Sequence, residues 1–195
     1  DKSVTLKPGS ETTVTAAYSH TTPSSFFQIS PTLTFYGDEH INGLKALRLG
    51  PKFQTQVLAT KMFNKRKGLL TTALQGVVRG ETMTFEESAE VFHIKNPNSL
   101  TILASLDYNL MAKLRLTLTG VGRFIRTSTS EEEMVVTGSG TSNVFEEGAT
   151  LSYAVSKSAT LSLGQRYITG RGTNAKSEIR TINGFETFLR TSIRF

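Results

Sequence analysis

The sequence contains no cysteine, so a disulfide framework and a thiolate metal site are excluded. Its three histidines, His20, His40 and His93, lie far apart and lack the spacing of metal ligands. The chain also has no run of about 18 apolar residues, which excludes a transmembrane helix. Charged residues make up 19% of the chain and hydrophobic residues 37%. Both fractions lie below the roughly 25% and 45–50% of ordinary soluble domains.

Threonine and serine take the place of these residues, with 28 Thr and 19 Ser among 195 residues. Together with 16 Gly and 12 Phe, they favour strands and turns over helices. The net charge is +6, but the basic residues are spread singly, and the densest group is Lys65-Arg66-Lys67. A nucleic-acid interface usually has a denser basic patch with interleaved aromatics, so we expect no nucleic-acid partner.

Apolar and polar residues alternate with a period of two along most of the chain, which is typical of β-strands. Within residues 113–126, for example, Leu114 and Leu116 lie on one side and Arg115 and Thr117 on the other. The alternation predicts eight strands, at about residues 26–36, 46–62, 69–80, 99–109, 113–125, 144–155, 159–168 and 177–195. An alternative count of ten adds strands near residues 14–18 and 86–95.

The connections between these predicted strands alternate in length. Residues 109–112 and 156–158 are tight turns, whereas residues 81–98, 126–143 and 169–176 are longer and polar. Short turns at one end and long loops at the other are typical of a membrane β-barrel. A soluble lipocalin-type barrel also alternates, but with its apolar face inside. Aromatic residues near the strand ends and small polar residues in the polar rows favour an apolar outer face here.

The C-terminal segment resembles the terminal β-signal of bacterial outer-membrane β-barrels. In that family the last residue is commonly Phe, here Phe195, and apolar or aromatic residues precede it at alternate positions, here Ile193, Leu189 and Phe185. The intervening residues Thr187 and Thr191 are less apolar than this pattern prefers.

The size of the chain is also similar to that of the small barrels of the OmpA, OmpX and OmpW type. The resemblance implies an all-β fold, a transmembrane antiparallel up-and-down β-barrel in the bacterial outer membrane. It also implies that the barrel-assembly machinery reads the last strand. We expect residues 26–195 to form the barrel, with residues 1–25 as a polar N-terminal extension.

An eight-strand barrel has an interior that side chains just fill, so the charged residues of the polar rows would meet there. The expected lumen charge network comprises Asp107, Arg115, Arg123, Glu146, Arg166, Arg180, Glu186 and Arg190. A lumen filled in this way would pass little or no solute. The alternative is that some of these charges lie at the rims and are solvated.

Two surfaces are candidates for interaction with partners. Lys65, Arg66 and Lys67 could contact the phosphates of membrane lipids or lipopolysaccharide, or they could form a solvated turn. The outward row of the last strand carries Asn183 and three threonines, which suit acyl chains poorly. This row predicts either a contact between barrels in a homo-oligomer or polar groups that are satisfied locally.

The sequence therefore predicts an integral outer-membrane barrel without a cofactor, with a structural, envelope-organising or surface-interaction role. A porin or narrow channel, a lipid-modifying enzyme and a soluble lipocalin-like binder are the alternatives. Nucleophilic catalysis requires a Ser beside a His. Ser19 and His20 are neighbours, but neighbours on a strand point to opposite faces, so we expect no enzymatic activity.

Overall fold

The computed structural model describes residues 4–87, 89–126, 141–173 and 178–193. These residues form fifteen strands. The strands are β1 (Leu6–Lys7), β2 (Glu11–Thr15), β3 (Tyr18–Thr21), β4 (Ser25–Tyr36), β5 (Glu39–Ile41), β6 (Leu44–Arg48), β7 (Lys52–Phe63), β8 (Gly68–Arg79), β9 (Thr82–Glu86), β10 (Ala89–Ile94), β11 (Asn98–Met111), β12 (Leu114–Arg126), β13 (Ser142–Ala154), β14 (Ala159–Thr173) and β15 (Ile179–Ile193). None of the described residues forms a helix long and apolar enough to cross a bilayer.

Ten strands form the main sheet, in the order β15-β14-β13-β12-β11-β8-β7-β4-β2, with β3 also paired to β4. Every pairing is antiparallel, and successive long strands are neighbours. The eight long strands are β4, β7, β8 and β11 to β15, and each overlaps one of the eight predicted segments. The prediction of an all-β, antiparallel up-and-down architecture is therefore confirmed.

The predicted count of eight strands is wrong, and so is the alternative count of ten. The additional strands lie in the N-terminal segment and in two of the long connections, where β1, β5, β6, β9 and β10 form a small second sheet. One hairpin of this sheet turns at Asn42 and Gly43, whose φ angles of 52° and 84° fit a type I′ turn. The alternative count did place strands near residues 14–18 and 86–95, where β2, β3 and β10 lie. Strands β5 and β6 are short, but the Asn-Gly pair could have revealed their hairpin.

The predicted strand at residues 46–62 is in fact two strands, β6 and β7, which belong to different sheets. The chain leaves one sheet for the other at Gly50, where an added Cβ would overlap the carbonyl group of Gly80. The Gly80 N–H donates a hydrogen bond of 2.7 Å to the Pro51 carbonyl at the same crossing. Only glycine allows two backbones to approach this closely.

Strands β2 and β3 continue one another along β4 in a single register, so they act as one interrupted strand, here called β2–β3. The interruption lies opposite Pro31, whose carbonyl accepts a hydrogen bond of 3.1 Å from the Ala16 N–H. Proline has no N–H and cannot donate a hydrogen bond back to residue 16, so the ladder loses one hydrogen bond at this point. The segment expected to be a polar extension thus occupies the outer edge of β4.

The predicted closed barrel is not observed in the described residues, because the outermost strands β15 and β2–β3 are not paired with each other. Nearly all of β15 is exposed on both faces, as expected for a strand with a neighbour on one side only. The physical reason is that β2–β3 fills the edge of β4 that an eight-strand barrel would present to β15. The main sheet consequently has two free edges.

The two ends of the main sheet differ. Tight turns at residues 22–24, 64–67, 112–113 and 155–158 mark one end, here called the short-turn end. The longer connections at residues 37–51 and 80–97 leave from the opposite, long-loop end and carry the small sheet. The alternation of connection lengths holds for these connections, and the second of them matches the predicted residues 81–98. Most of the connection predicted at 126–143 lies outside the described residues, whereas residues 169–173 of the one predicted at 169–176 belong to β14.

Candidate functional site: the polar face of the main sheet

The antiparallel register gathers alternate residues of neighbouring strands on two faces. On one face, Leu163 lies directly between Leu151 and Leu189. On the other face, Arg115 lies opposite Ser152, which lies opposite Ser162, which lies opposite Arg190. We call these the apolar face and the polar face. The faces correspond to the two rows that the sequence alternation predicts.

The apolar face is the more exposed of the two, which is the reverse of a soluble sheet. Along β13, exposed residues alternate strictly with half-buried ones. The apolar residues Phe145, Leu151 and Tyr153 are 41–47% exposed, whereas Thr150 and Ser152 on the polar face are half-buried. No apolar side chain of the described residues is buried, so this part of the chain has no hydrophobic core.

The first charged cluster of the polar face is centred on Asp107 of β11. Arg115 of β12 donates hydrogen bonds of 3.0 Å from Nε to Asp107 Oδ1, and its Nη2 lies 2.8 Å from the same oxygen. The Thr117 hydroxyl donates a third bond of 2.6 Å to that oxygen. Three donors on one carboxylate oxygen tie β11 to β12 and hold the guanidinium over the sheet.

The second cluster is centred on Arg166 and spans three strands. Its Nη2 lies 2.5 Å from Glu186 Oε2 of β15, and its Nη1 lies 3.4 Å from Glu146 Oε1 of β13. The Arg166 Nε is buried without a hydrogen-bond partner among the described residues. One arginine therefore links both neighbours of β14 and still has an unused donor on the polar face.

The remaining members of the predicted charge network lie on the polar face but outside these clusters. Among the described residues, Arg123 and Arg180 form no ion pair. Arg190 stacks over the Phe188 ring, with its guanidinium carbon 5.7 Å from the ring centroid. The eight predicted residues thus form two separate clusters and three individual cations.

A cleft of about 470 Å³ opens at the short-turn end of the polar face, beside the Asp107 cluster. It is lined by Asp107, Asn109, Ala112, Lys113, Leu114, Arg115, Thr117, Ser152, Ala154 and Thr160. No group of three or more metal-ligating side chains occurs in the part of the chain that the structure describes. The cleft is thus a polar, cationic space with a single carboxylate.

Lys65, Arg66 and Lys67 lie in the tight turn between β7 and β8, and all three are exposed. The Lys67 N–H donates a hydrogen bond of 3.0 Å to the Asn64 carbonyl and closes the turn. Asn64 also donates from its side chain to the Tyr108 hydroxyl at 2.5 Å, which fastens the turn to β11.

Phe185, Leu189 and Ile193 of the C-terminal strand lie on the apolar face and are 59–69% exposed. Phe195, the last residue of the predicted β-signal, lies outside the described residues. Asn183, on the same row, accepts a hydrogen bond of 2.9 Å from Thr169 of β14. This bond satisfies the amide oxygen of Asn183 within the sheet, and the choice between a contact between barrels and local satisfaction of the threonine hydroxyls stays a prediction.

Three residues interrupt the apolar face near its middle and form what we call the outer polar patch. Gln165 lies directly opposite Thr187, and Glu147 lies diagonally across from Gln165 on β13. Glu147 is exposed and faces Gly120 on its other side. Sequence alternation places Glu147 on the outward row, but the charge network predicted from the sequence did not include it.

At the long-loop end, Asp38 forms ion pairs with two cations of its own connection, residues 37–51. Lys45 Nζ lies 2.8 Å from Asp38 Oδ2, and Arg48 Nε lies 3.8 Å from Asp38 Oδ1. The hydrogen bond from Lys45 lowers the pKa of Asp38 below its usual value, and partial burial opposes this shift. Lys45 and Arg48 also lie over the Phe85 ring, at 5.8 Å and 6.0 Å from its centroid.

No known family model matches this chain, and no curated protein or solved structure has a detectable match to it. The features of this chain that bear on its function are therefore the two faces of the main sheet, its two ends and its free edges.

Proposed function

We propose that this chain is an integral outer-membrane β-barrel protein with a side-chain-filled lumen and an envelope-organising or surface-interaction role. The observation that carries the proposal is the inverted exposure of the main sheet, most clearly on β13 and β14, where most apolar-face residues are exposed and the polar-face residues are half-buried or buried. Water destabilises such a sheet, whereas acyl chains outside and a polar lumen inside stabilise it. Partners of this protein would then include membrane lipids, lipopolysaccharide and the barrel-assembly machinery.

The large solvent-accessible surface of the chain supports the proposal that a medium other than water surrounds it. The chain exposes 14121 Å². A compact monomer of this mass, 21.4 kDa, exposes only about 9,000 Å². Soluble monomers rarely expose apolar patches above a few hundred Å², and larger ones mark protein or membrane contacts.

Strand directions support a specific route to closure. Adjacent long strands are antiparallel, so the first, β4, and the eighth, β15, run in opposite directions and can pair antiparallel. In contrast, β2–β3 and β15 run in the same direction and could pair only in parallel. Bacterial outer-membrane barrels have an even number of antiparallel strands, and hydrocarbon offers no partner to an open edge. In our proposal, β15 therefore replaces β2–β3 on β4 when the sheet enters a bilayer.

A pair of engineered disulfides tests this exchange in a chain that has no cysteine of its own. Thr13→Cys with Thr34→Cys would fasten β2 to β4, because the two hydroxyl oxygens are 3.2 Å apart. Ser152→Cys with Ser162→Cys is the matched control, since these oxygens are 2.9 Å apart on strands that stay paired. We expect the oxidised first variant to lose the heat-modifiable gel migration of a closed barrel, and the control to keep it. Equal migration of both variants would contradict closure through β4.

Conductance separates the filled lumen from the porin alternative. The two ion-paired clusters and the additional arginines fill the polar face with side chains. We therefore expect no large, reproducible current steps in planar bilayers. Such steps, obtained with protein that shows heat-modifiable migration, would favour a porin or narrow channel instead.

The outer polar patch supports the further proposal that two copies associate through their outer faces. A carboxylate such as Glu147 is costly against acyl chains and is usually paired or placed in an interface. We expect Gln165→Cys to form a disulfide-linked dimer in mild detergent, whereas Leu74→Cys, on the apolar face away from the patch, should not. A monomeric Gln165→Cys protein would contradict the association.

A further inference from the structure

We infer that the short-turn end of the main sheet is a binding surface for the headgroups of anionic phospholipids. The inference rests on the proposed membrane location. The surface, which we call the basic rim, consists of Lys61, Lys65, Arg66, Lys67, Lys113 and Lys157. All six side chains are exposed. They lie on three hairpins, so they form an arc along this end rather than a single pocket.

Charge is distributed unequally between the two ends of the sheet. The only carboxylate within five residues of the described short turns is Asp107, which is already bound by Arg115 and Thr117. The long-loop end, in contrast, mixes both signs and forms ion pairs such as Lys45 with Asp38. Among the described residues, none of the six cations of the basic rim has an ion-pair partner. The basic rim thus presents uncompensated positive charge.

Backbone conformation at the turn between β7 and β8 supports a role for its side chains. Lys65 and Arg66 have φ angles of 53° and 70°, a left-handed conformation that strains residues with bulky side chains. Asn-Gly is the favoured pair for this type of turn, and the chain uses Asn42 and Gly43 in the tight hairpin between β5 and β6. The basic rim retains two long cations at positions where Asn-Gly would be less strained.

Aromatic residues beside the basic rim favour a lipid headgroup over a soluble anion. Phe63 and Tyr108 stack at the same end of the sheet, with ring centroids 6.2 Å apart. Tyr153 lies next to the turn at residues 155–158, on the apolar face. Aromatic girdles of membrane barrels lie at the level of the headgroups. Cations just beyond such a girdle face the phosphates of the leaflet, and anionic headgroups attract them.

Native mass spectrometry of the full chain tests the basic rim. The protein is folded in detergent micelles with equal amounts of phosphatidylglycerol and phosphatidylcholine, and retained lipids are counted. We expect severalfold more phosphatidylglycerol than phosphatidylcholine on the unmodified chain. In the variant K65N/R66G/K67N, the ratio of retained phosphatidylglycerol to phosphatidylcholine should be at least threefold lower. The matched control K7N/K52N/K95N removes the same charge at the long-loop end and should keep the preference.

Heat-modifiable migration, measured on the same samples, tests the membrane barrel separately from the binding of lipids to the basic rim. Two outcomes in folded, heat-modifiable protein would contradict lipid binding by the basic rim and leave the proposed function intact. In the first, the unmodified chain retains both lipids equally. In the second, the two variants lose the preference for phosphatidylglycerol to the same extent. Protein that never shows heat-modifiable migration would overturn both. Displacement of the retained phosphatidylglycerol by excess inorganic phosphate would identify a free-anion site and would also overturn the lipid surface.

Discussion

At the scale of single residues, the turn at residues 64–67 combines exposed positive charge with a strained backbone. Lys65 and Arg66 have positive φ angles, while Lys67 does not. Glycine adopts positive φ without a steric penalty, whereas other L-residues do not. Backbone strain at this turn can therefore be tested separately from its charge.

We expect Arg66→Gly to raise the free energy of unfolding by about 1 kcal/mol, because it removes the left-handed strain. Lys67→Gly removes the same charge at a position without strain, so it should leave the stability unchanged or lower it. Urea unfolding of the protein in detergent or vesicles measures both. Equal effects of the two substitutions would show that charge, and not backbone strain, governs the stability of this turn.

Asp38 is a carboxylate beside the small sheet with a clearly shifted pKa. Lys45 lowers the pKa of Asp38 in the folded protein. A lowered pKa contributes stability that is fully present above the unfolded value, about 4, and is lost as the pH falls through the folded value.

We therefore expect hydrogen-exchange protection of the amides in β5 and β6, corrected for intrinsic exchange, to be constant above about pH 5 and to fall below about pH 4. Asp38→Asn should lower the protection at neutral pH and abolish this pH dependence. An unchanged acid transition in Asp38→Asn would assign the effect to another carboxylate.

At the scale of elements, contacts across strand pairs determine how each strand is held. Phe188 is the one half-buried residue of β15. Its ring covers Gly164 on β14, directly opposite, so closely that an added Cβ would overlap the ring. Aromatic side chains that cover glycines are a known device for stabilising β-sheets.

We expect Gly164→Ala to cost about 1–3 kcal/mol, because the added methyl group displaces the Phe188 ring. Gly184→Ala, at a site with open space around it, should cost much less. The loss at Gly164 should nearly vanish in a Phe188→Ala background, as a double-mutant cycle from urea unfolding would show. Additive effects in that cycle would mean that the ring is not responsible.

At the scale of the whole molecule, the proposed function depends on whether acyl chains or water contact the apolar face. Leu74 and Gln75 are neighbours in the middle of β8, and they lie on the apolar and polar faces respectively. Both sites lie on the same strand at nearly the same distance from its ends, so an arginine introduced at each site is compared on the two faces at similar depth.

We expect Leu74→Arg to destabilise folding into lipid vesicles by about 2–4 kcal/mol, the cost of a lipid-facing arginine near the midplane of a barrel. Gln75→Arg should cost far less, because the polar face already holds arginines. Equal and small effects would indicate that both faces contact water, and the membrane proposal would then fail.

Period-two alternation is a local property, and it was sufficient to predict the long strands and the two faces. It assigned Leu114 and Arg115 to opposite sides of β12, as the sheet register does. It did not detect β1, β5 or β9 of the small sheet, which are too short to show a period, although the alternative count placed a strand near residues 86–95, where β10 lies. It placed Glu147 on the outward row, but the predicted charge network included only Glu146 of that strand. The predicted β-signal residues Phe185, Leu189 and Ile193 share the apolar face, but their role in assembly stays a prediction.

The sequence alone determined that this chain is all-β, because side chains that alternate every second residue can separate only on strands. Tertiary structure decided which charges meet, since the contacts of Arg166 with Glu146 and Glu186 depend on the register between strands 20 residues apart in sequence. It also decided that β2–β3, and not β15, pairs with the outer edge of β4. Pairing of strands that are distant in sequence depends on the whole sheet, and no local pattern encodes it.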